Sequence, residues 1–290
     1  MSFNLRLPKL YQTRGTRLVE IWQPTLRYWF QTEVHVFALS MAAAVLLSVF
    51  PFLIVMMSLC KYGLHWPAGV KVLDLALADY FPGDMGEFIR RNLTALVQSR
   101  GPFQFTSVFL LLFTANAVFE PLEVALNRVW DVPRNRSYLR NQIVSLGLIF
   151  LCGSLTLISF VLTAVNRQII SNWIPVPPFL GLLLFKIAAL PFSILALGFM
   201  YWLLPNRKIA PIQIVPVAIL VGLALELLKY INLLTWQFLK VKLQKEYGPF
   251  YISVAIILWS FMAAMVILAG AEWTARRQFG ALAARGPAPR

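Results

Sequence analysis

The sequence predicts an all-α, polytopic membrane protein with six transmembrane helices and both termini in the cytoplasm. Hydrophobic residues make up 59% of the 290 residues and charged residues only 13%, with a mean hydropathy of +0.70. A soluble domain carries about 25% charged residues. Apolar runs of about 20 residues, each long enough to cross a bilayer once, recur along the chain. The short segments between these runs are basic, as expected for the loops of a multi-pass protein.

The six predicted spans follow these apolar runs, and the second is the least hydrophobic. They are Phe37–Cys60, Gln104–Leu126, Ile143–Val165, Phe179–Leu204, Ile212–Leu239 and Tyr251–Trp273.

The distribution of Lys and Arg predicts the orientation. With a cytoplasmic N-terminus, 15 of these residues lie in the inner segments and nine in the outer segments. Cytoplasmic loops of membrane proteins carry an excess of Lys and Arg. The bias therefore favours both termini in the cytoplasm.

The regions outside the spans divide the chain. Residues 1–36 are basic and contain Trp22, Tyr28, Trp29 and Phe30, a pattern that predicts an amphipathic helix lying on the membrane. No cleavable signal peptide is evident, because the first apolar run is too long for one. Residues 37–275 form the predicted six-span domain, and residues 276–290 form a basic tail that we expect to be disordered.

The first outer loop, residues 61–102, is long enough to hold two short helices. The pattern predicts helices over Val70–Tyr80 and Met85–Gln98, separated by the turn Phe81-Pro82-Gly83-Asp84. Val70, Leu73 and Leu77 give the first helix an apolar face. We expect this face to pack on the spans or on the outer headgroups.

Composition also argues against several partners and sites. The net charge of +14 would suit nucleic acid if it formed one patch, but the basic residues are dispersed between apolar runs, which favours topology and lipid headgroups. Cys60 and Cys152 have no metal-ligand or disulfide spacing, and His35 and His65 lie far apart. We therefore expect no cofactor, no metal and no nucleic-acid partner.

The strongest candidate site is Glu226 with Lys229, near the middle of the fifth span. An unpaired charge at the centre of a spanning helix costs about 2.5–3.5 kcal/mol. The three-residue spacing puts both side chains on one helical face, where they can pair. Tyr230 and Asn232 add hydrogen-bonding groups. The pair is either a structural ion pair or part of a polar cavity.

A second polar stripe lies on the second span. Asn116, Glu120, Glu123 and Asn127 are spaced by four, three and four residues, which places them on one face of a helix. Pro121 interrupts the hydrogen bonding of this helix and predicts a kink. The stripe is either a helix end emerging into water or the wall of a cavity open to the cytoplasm.

Further candidates are isolated. Lys186 in the fourth span either extends to the outer interface or pairs with a neighbouring helix, for example with Glu226. Glu272 follows Gly270 and Ala271 at the end of the sixth span, where it can cap a neighbour or pair with an inner arginine. Pro51 in the first span is a candidate hinge, like Pro121.

Several motifs together resemble the YihY/BrkB family of bacterial inner-membrane proteins. They are Ser48-Val49-Phe50-Pro51-Phe52, Asn127 with Trp130, Leu204-Pro205-Asn206, Tyr247-Gly248-Pro249-Phe250, Ile257-Leu258-Trp259 and Gly270-Ala271-Glu272. The resemblance covers about residues 30–275 and implies a six-span protein of the bacterial cell inner membrane. Members of that family were once labelled ribonuclease BN, and envelope lipid transport is among the proposed roles.

The favoured function is transport or binding of an amphipathic anionic molecule, such as a membrane lipid, through a cytoplasm-facing polar cavity. Glu226 and Lys229 would form the floor of that cavity and the second-span stripe its wall. The alternative is a non-transporting scaffold or assembly factor of the cell envelope, with an envelope protein or a second copy of the chain as partner. A ribonuclease is disfavoured, because Glu120, Glu123 and Asp131 are the only candidate metal ligands on the cytoplasmic side and no histidine joins them.

Overall fold

The structure, a computed structural model, describes residues 23–100, 118–132, 136–137, 140–141, 143–155, 158, 178–207 and 209–284. Its regular elements are helical, with no strand in these ranges. In chain order the helices are α1 (23–29), α2 (Thr32–Ser58), α3 (Pro67–Tyr80), α4 (Asp84–Arg100), α5 (118–129), α6 (described over Ile143–Leu155), α7 (Pro178–Leu203), α8 (Pro211–Tyr247) and α9 (Tyr251–Ala284). The all-α prediction is confirmed for this part of the chain.

Two apolar segments of the described chain are long enough to cross a membrane. They are Thr32–Gly63, which contains α2, and Pro211–Arg276, which contains α8 and most of α9. Ile143–Leu155 and Leu190–Leu203 are shorter apolar helices. The number of spans and the side on which the termini lie stay predictions.

A sharp turn divides the longer segment into two helices. Gly248 joins α8 to α9 with a φ of 53° and a ψ of −127°, a conformation that residues with a Cβ rarely adopt. The turn continues as a single 3₁₀ turn, Gly248–Phe250. It reverses the chain, so that α9 packs antiparallel against α8.

Both helices are longer than the spans predicted for them. The fifth predicted span ends at Leu239, whereas α8 continues to Tyr247. Its 37 residues measure about 55 Å, against about 30 Å for the hydrocarbon of a bilayer. The added residues are mostly Lys, Gln and Glu, which are polar but good helix formers. Hydropathy therefore located the end of the apolar run and not the end of the helix.

The predicted tail is wrong in part for the same reason. Disorder was expected from residue 276, but α9 runs to Ala284. Residues 276–284 contain alanines, arginines, a glutamine and a leucine, all of which favour helix. Residues 285–290 lie outside the described part of the chain.

The helices enclose two apolar clusters, one at each end of the molecule. The cluster at the end that contains α1 joins the start of α2 with α5, α7 and α8 and the second half of α9, and includes Ala38, Leu126, Leu204, Val217 and Leu268. The other joins the second half of α2 with α3, α4 and the neighbouring parts of α8 and α9, and includes Leu53, Leu77, Ile89, Trp236 and Ala255. We call these the α1 end and the hairpin end.

The hairpin of α3 and α4 agrees closely with its prediction. The turn falls at residues 81–83, and Gly83 has a φ of 61° that suits glycine. Leu73 and Leu77 are buried against α2 and the other helices of the hairpin-end cluster. The expected apolar face therefore packs on the predicted spans.

The N-terminal helix is described over part of the predicted amphipathic segment. α1 covers 23–29, and Trp22 lies outside the described residues. Phe30 is 80% exposed, as expected for a residue facing lipid headgroups. Trp29, in contrast, donates a hydrogen bond from its indole Nε1 to the carbonyl of Met265 on α9 at 2.8 Å. A partly buried indole N–H needs such a partner.

Prolines lie inside several helices without ending them. Pro51 is buried in the middle of α2, which gives way to a π-helix, Leu59–Gly63, at its C-terminal end. Pro121 lies near the start of the described part of α5. Whether either residue acts as a hinge stays a prediction.

Side chains of α7 and α8 pack tightly against α9 at Gly270. A Cβ at this position would lie 2.3 Å from Val221 Cγ2 and 2.8 Å from the Tyr201 hydroxyl oxygen. That hydroxyl is held by its hydrogen bond to the carbonyl of Ile267 at 2.7 Å. We expect Gly270→Ala to lower the free energy of unfolding by about 1–3 kcal/mol through overpacking.

The measurement is thermal unfolding of the purified protein in detergent, with Gly153→Ala as control. Gly153 is also helical, but a Cβ there would meet no atom within 4 Å. Alanine favours helix over glycine, so the control should be neutral or slightly stabilising. Equal unfolding temperatures for the two variants would contradict the close packing described.

Candidate functional site

A line of polar side chains on α8 faces the hairpin of α3 and α4. Its members recur at three- and four-residue spacing, which is one face of a helix. They are Glu226, Lys229, Asn232, Trp236 and Lys240. We call this line the α8 seam.

The predicted charge pair forms the first part of the seam. Lys229 Nζ lies 2.7 Å from Glu226 Oε1, and the side chains are 12% and 25% exposed respectively. The ammonium also lies 5.1 Å from the ring centroid of Tyr80 and 5.6 Å from that of Tyr230. Cation–π contacts at these distances stabilise a partly desolvated ammonium. The structure thus provides Lys229 with a carboxylate and two aromatic faces.

The rest of the seam holds the turn of the hairpin. Asn232 Nδ2 donates a hydrogen bond to the carbonyl of Tyr80 at 3.4 Å. Trp236 is 1% exposed, and its Nε1 would lie 3.1 Å from a Cβ at Gly83. The Lys240 ammonium forms an ion pair with Asp84. The pair and the hairpin turn are therefore parts of one contact surface.

The second-span stripe is described only in part. Asn116 lies outside the described residues, and Glu120 is exposed. Glu123 and Asn127 are buried, at 2% and 1% exposure. Asn127 Nδ2 donates a long hydrogen bond of 3.4 Å to Glu123 Oε1, while Glu123 Oε2 is buried without a hydrogen-bond partner among the described residues. The stripe therefore changes from exposed at Glu120 to buried at Glu123 within one helical turn. Glu123 does not belong to a helix end that is simply solvated by water.

Asn127 connects α5 to the segment that follows α7. Its Oδ1 accepts a hydrogen bond of 2.7 Å from the backbone N–H of Asn206. The carbonyl of Trp130 accepts another, of 3.0 Å, from Arg207 Nη1. The Asn-x-x-Trp and Leu-Pro-Asn motifs of the sequence are thus in direct contact, which their sequence separation did not reveal.

Arg136 completes this group and was not predicted. Its guanidinium donates to three successive carbonyls, those of Leu203, Leu204 and Pro205, at 2.9, 3.0 and 3.2 Å. The last carbonyls of a helix have no partner within it, so Arg136 caps the C-terminus of α7. A lone arginine in a basic loop gives no sequence signal for such a role.

The structure separates the two polar groups that the sequence analysis placed around one cavity. Lys229, the partner of Glu226, contacts Tyr80 of the hairpin, whereas Asn127, the partner of Glu123, contacts the α7–α8 connection at the α1 end. Lys229 lies about 27 Å along α8 from Pro211, since each helical residue adds about 1.5 Å. The shared cavity stays a prediction.

The secondary candidates have different outcomes. Glu272 pairs with Arg276 at 3.1 Å and accepts a 2.6 Å hydrogen bond from Thr25 Oγ1 on α1. It pairs with an arginine as the sequence allowed and also ties α1 to α9. Lys186 lies on α7, but its side chain is outside the described part of the chain. Within the described residues, no three His, Cys, Asp or Glu side chains form a group that could hold a metal ion.

Arg136→Gln is expected to lower the free energy of unfolding by about 2–4 kcal/mol, because three helix-end carbonyls lose a charged donor. Arg140→Gln, which removes an equal charge from an exposed position on the same connection, is the control. Thermal unfolding in detergent measures both. An Arg136 variant as stable as the Arg140 variant would exclude the capping role.

The Asp84–Lys240 ion pair predicts a pH dependence of hairpin docking. The hydrogen bond from Lys240 lowers the pKa of Asp84 below its ordinary 3.8. Because the folded-state pKa is the lower one, the stabilisation is present above about pH 4 and is lost as the pH falls through the folded-state pKa. The difference in unfolding temperature between the wild type and Asp84→Asn should therefore shrink as the pH is lowered from about 6 to about 3.

The control is Glu87→Gln. Glu87 pairs with Arg91 within α4 and does not bridge to α8. A difference for Asp84→Asn that does not change with pH would show that the carboxylate charge does not hold the hairpin.

The fold and these partnered polar groups define a helical membrane protein, and the sequence comparisons identify its family. The profile of the family described as virulence factor BrkB matches residues 25–289, so the chain belongs to the BrkB family. The resemblance noted from the motifs is confirmed.

The chain is also similar to proteins described as UPF0761 membrane proteins. It is 25% identical to one from Chlorobium luteolum over 80% of this chain and 54% of that protein. It is 23% identical to one from Pseudoalteromonas translucida, over 88% and 84% respectively. The chain thus spans about half the length of the Chlorobium relative. No solved structure matches the chain.

Proposed function

We propose that this protein binds an amphipathic anionic lipid on the lipid-facing side of α8 and assists its movement across the bacterial inner membrane. Lys229 is the proposed counter-ion of the lipid phosphate. The proposal places the protein in that membrane as a six-span, multi-pass protein without enzymatic activity, and its partners are membrane lipids.

The observation that carries the proposal is an exposed apolar stripe beside the charge pair. Leu223, Leu227 and Ile231 flank the pair and are 51%, 61% and 42% exposed. The stripe also includes Val215, Ile219, Leu234, Phe238 and Val241. From residue 215 to 241 it extends about 39 Å along α8, enough to cross the hydrocarbon of a bilayer. A surface with one partly covered ammonium beside a long apolar stripe suits an anionic headgroup with acyl chains.

The ion pair provides a mechanism of exchange. In the absence of lipid, Glu226 neutralises Lys229, so the fifth span does not contain an isolated charge. An arriving phosphate can replace Glu226 as the partner of the ammonium, because a charge-assisted hydrogen bond to phosphate is as favourable as one to a carboxylate. Tyr80 and Tyr230 stay on the ammonium in either state. The Lys229 ammonium would thus keep a negatively charged partner while the headgroup moves along α8.

This mechanism differs from the cavity that the sequence analysis favoured. Access would be lateral, from the bilayer along α8. The separation of the pair from Glu123 and Asn127 favours this route. Lateral access also agrees with the contact between Lys229 and Tyr80 of the α3–α4 hairpin. The topology prediction places this hairpin on the outer side.

The alternative is a non-transporting scaffold of the envelope, and one observation favours it. The α8 seam ties the hairpin to the spans through Tyr80, Gly83 and Asp84. In that role the pair would only position the hairpin for an envelope protein or a second copy of the chain. Both proposals are non-enzymatic and leave no role for ribonuclease activity.

Reconstitution in liposomes with fluorescent phosphatidylglycerol tests the proposal. Loss of fluorescence to an external quencher reports lipid movement. Lys229→Met should slow it about tenfold, the loss expected for one charge-assisted contact. Lys229→Arg should keep most of the rate. Lys242→Met, which removes a charge from an exposed position of α8 outside the seam, is the control.

Glu226→Gln should bind phosphatidylglycerol more tightly, because no carboxylate then competes for Lys229. Lipid movement at equal rates in the Lys229→Met and Lys242→Met proteins would reject the role of Lys229. A lower unfolding temperature for Lys229→Met with unchanged lipid movement would favour the scaffold.

A further inference from the structure

A separate cavity lies at the α1 end, where α1 and the start of α2 meet α5. Its volume is about 180 Å³. Tyr28, Val34, Phe37 and Val129 supply aromatic and apolar walls, and Glu33 and Arg128 also line it. The side chains of Glu33 and Arg128 are 53% and 62% exposed, so they lie at the open side.

The surface around the cavity changes from charged to apolar within two helical turns of α2. Glu33 is exposed and charged, whereas Val36 and Leu39 are exposed and apolar, at 60% and 55%. Phe30, 80% exposed, lies just before this boundary. Exposed aromatic and charged residues beside an exposed apolar helix are typical of the headgroup level of a bilayer. The cavity therefore opens where lipid headgroups would lie.

The two charges at the opening form an ion pair that a ligand can replace. Arg128 Nη2 lies 2.7 Å from Glu33 Oε2 and 2.8 Å from Oε1, across two helices. Exposed ion pairs of this kind contribute about 0–1 kcal/mol. A ligand that carries both a cation and an anion can partner each side chain separately, so neither charge would be left alone.

The side chains that line the cavity limit the class of ligand further. Burial, with a smaller effect from the charge of Glu272, raises the pKa of Tyr28 to about 12. The phenol is neutral at physiological pH and can donate a hydrogen bond. Val34 and Phe37 offer apolar contact for methylene groups. The Glu33 carboxylate accepts hydrogen bonds only, which favours an ammonium that carries N–H groups.

We infer that this cavity binds the headgroup of a zwitterionic phospholipid with a primary ammonium, the chemistry of phosphoethanolamine. The ammonium pairs with Glu33, and the phosphate pairs with Arg128. The site is distinct from Lys229, which lies at the hairpin end, and does not depend on lipid movement along α8.

Native mass spectrometry of the full chain in detergent, with added lipid, tests this inference. The wild type should retain phosphatidylethanolamine more strongly than phosphatidylcholine, whose ammonium has no N–H. In the Lys229→Met protein, which lacks the anionic-lipid site proposed on α8, phosphatidylethanolamine should also be retained more strongly than phosphatidylglycerol, which has no ammonium. Glu33→Gln should weaken phosphatidylethanolamine binding about tenfold. It should not weaken phosphatidylglycerol binding, because no carboxylate then competes with the phosphate for Arg128. Arg128→Gln should weaken both.

Matched variants separate this site from others. Glu87→Gln removes a carboxylate from another exposed arginine pair and should change no lipid preference. Val129→Phe should weaken phosphatidylethanolamine binding by filling the cavity without changing a charge. Lys229→Met should leave the preference intact, so failure of the α8 proposal would not be confused with failure of this one.

Soluble glycerophosphoethanolamine distinguishes the source of the headgroup. Competition with the lipid would support recognition of the headgroup alone. A preference that persists without competition would support a bilayer lipid as the ligand. Equal retention of phosphatidylethanolamine and phosphatidylcholine by the wild type, or an unchanged preference in Glu33→Gln, would overturn the inference.

Discussion

A charge in the apolar part of this protein is stabilised only by a partner within the protein, and the pairs that form organise the structure. Glu123 Oε2 and Trp236 Nε1 are among the exceptions, since both are buried without a hydrogen-bond partner among the described residues. Water is not present in hydrocarbon to solvate a lysine or a helix-end carbonyl. On α8 a line of polar residues contacts the hairpin turn. The Lys229 ammonium lies over the ring of Tyr80, and Lys240 pairs with Asp84. The hairpin is thereby held against the long helices, and the charge of Lys229 is tolerated in the middle of an apolar helix.

The same constraint acts at the α1 end through different residues. The carbonyls at the end of α7 are satisfied by Arg136, and the chain after α7 is held by Asn127. Glu272 joins α1 to α9 through Thr25. Between the two ends, apolar packing keeps α8 and α9 together, with Gly270 allowing a close approach. Polar contacts thus fix the ends of the bundle, and small or apolar side chains fill its middle.

This division bears on function. The described contacts of Lys229 and of Asn127 lie at different ends of the molecule, and the proposed function has a lipid reach Lys229 from the surrounding bilayer. Lys229 beside the apolar stripe of α8 suits an anionic lipid, and the Glu33–Arg128 pair at the α1 end suits a zwitterionic headgroup. The dispersed basic charge of the chain is consistent with a protein whose ligands belong to the membrane itself.

The sequence by itself determined the helical class, the membrane setting, the hairpin with its turn at Gly83, and the pairing of Glu226 with Lys229, because these depend on local periodicity and short spacing. It misjudged the ends of α8 and α9, where polar helix formers continue a helix beyond its apolar run. Only the tertiary structure decided that Tyr80 covers Lys229, that Asn127 reaches Asn206 and that Arg136 caps α7. Those contacts join residues 67 to 149 positions apart, and no local pattern encodes which distant groups will meet.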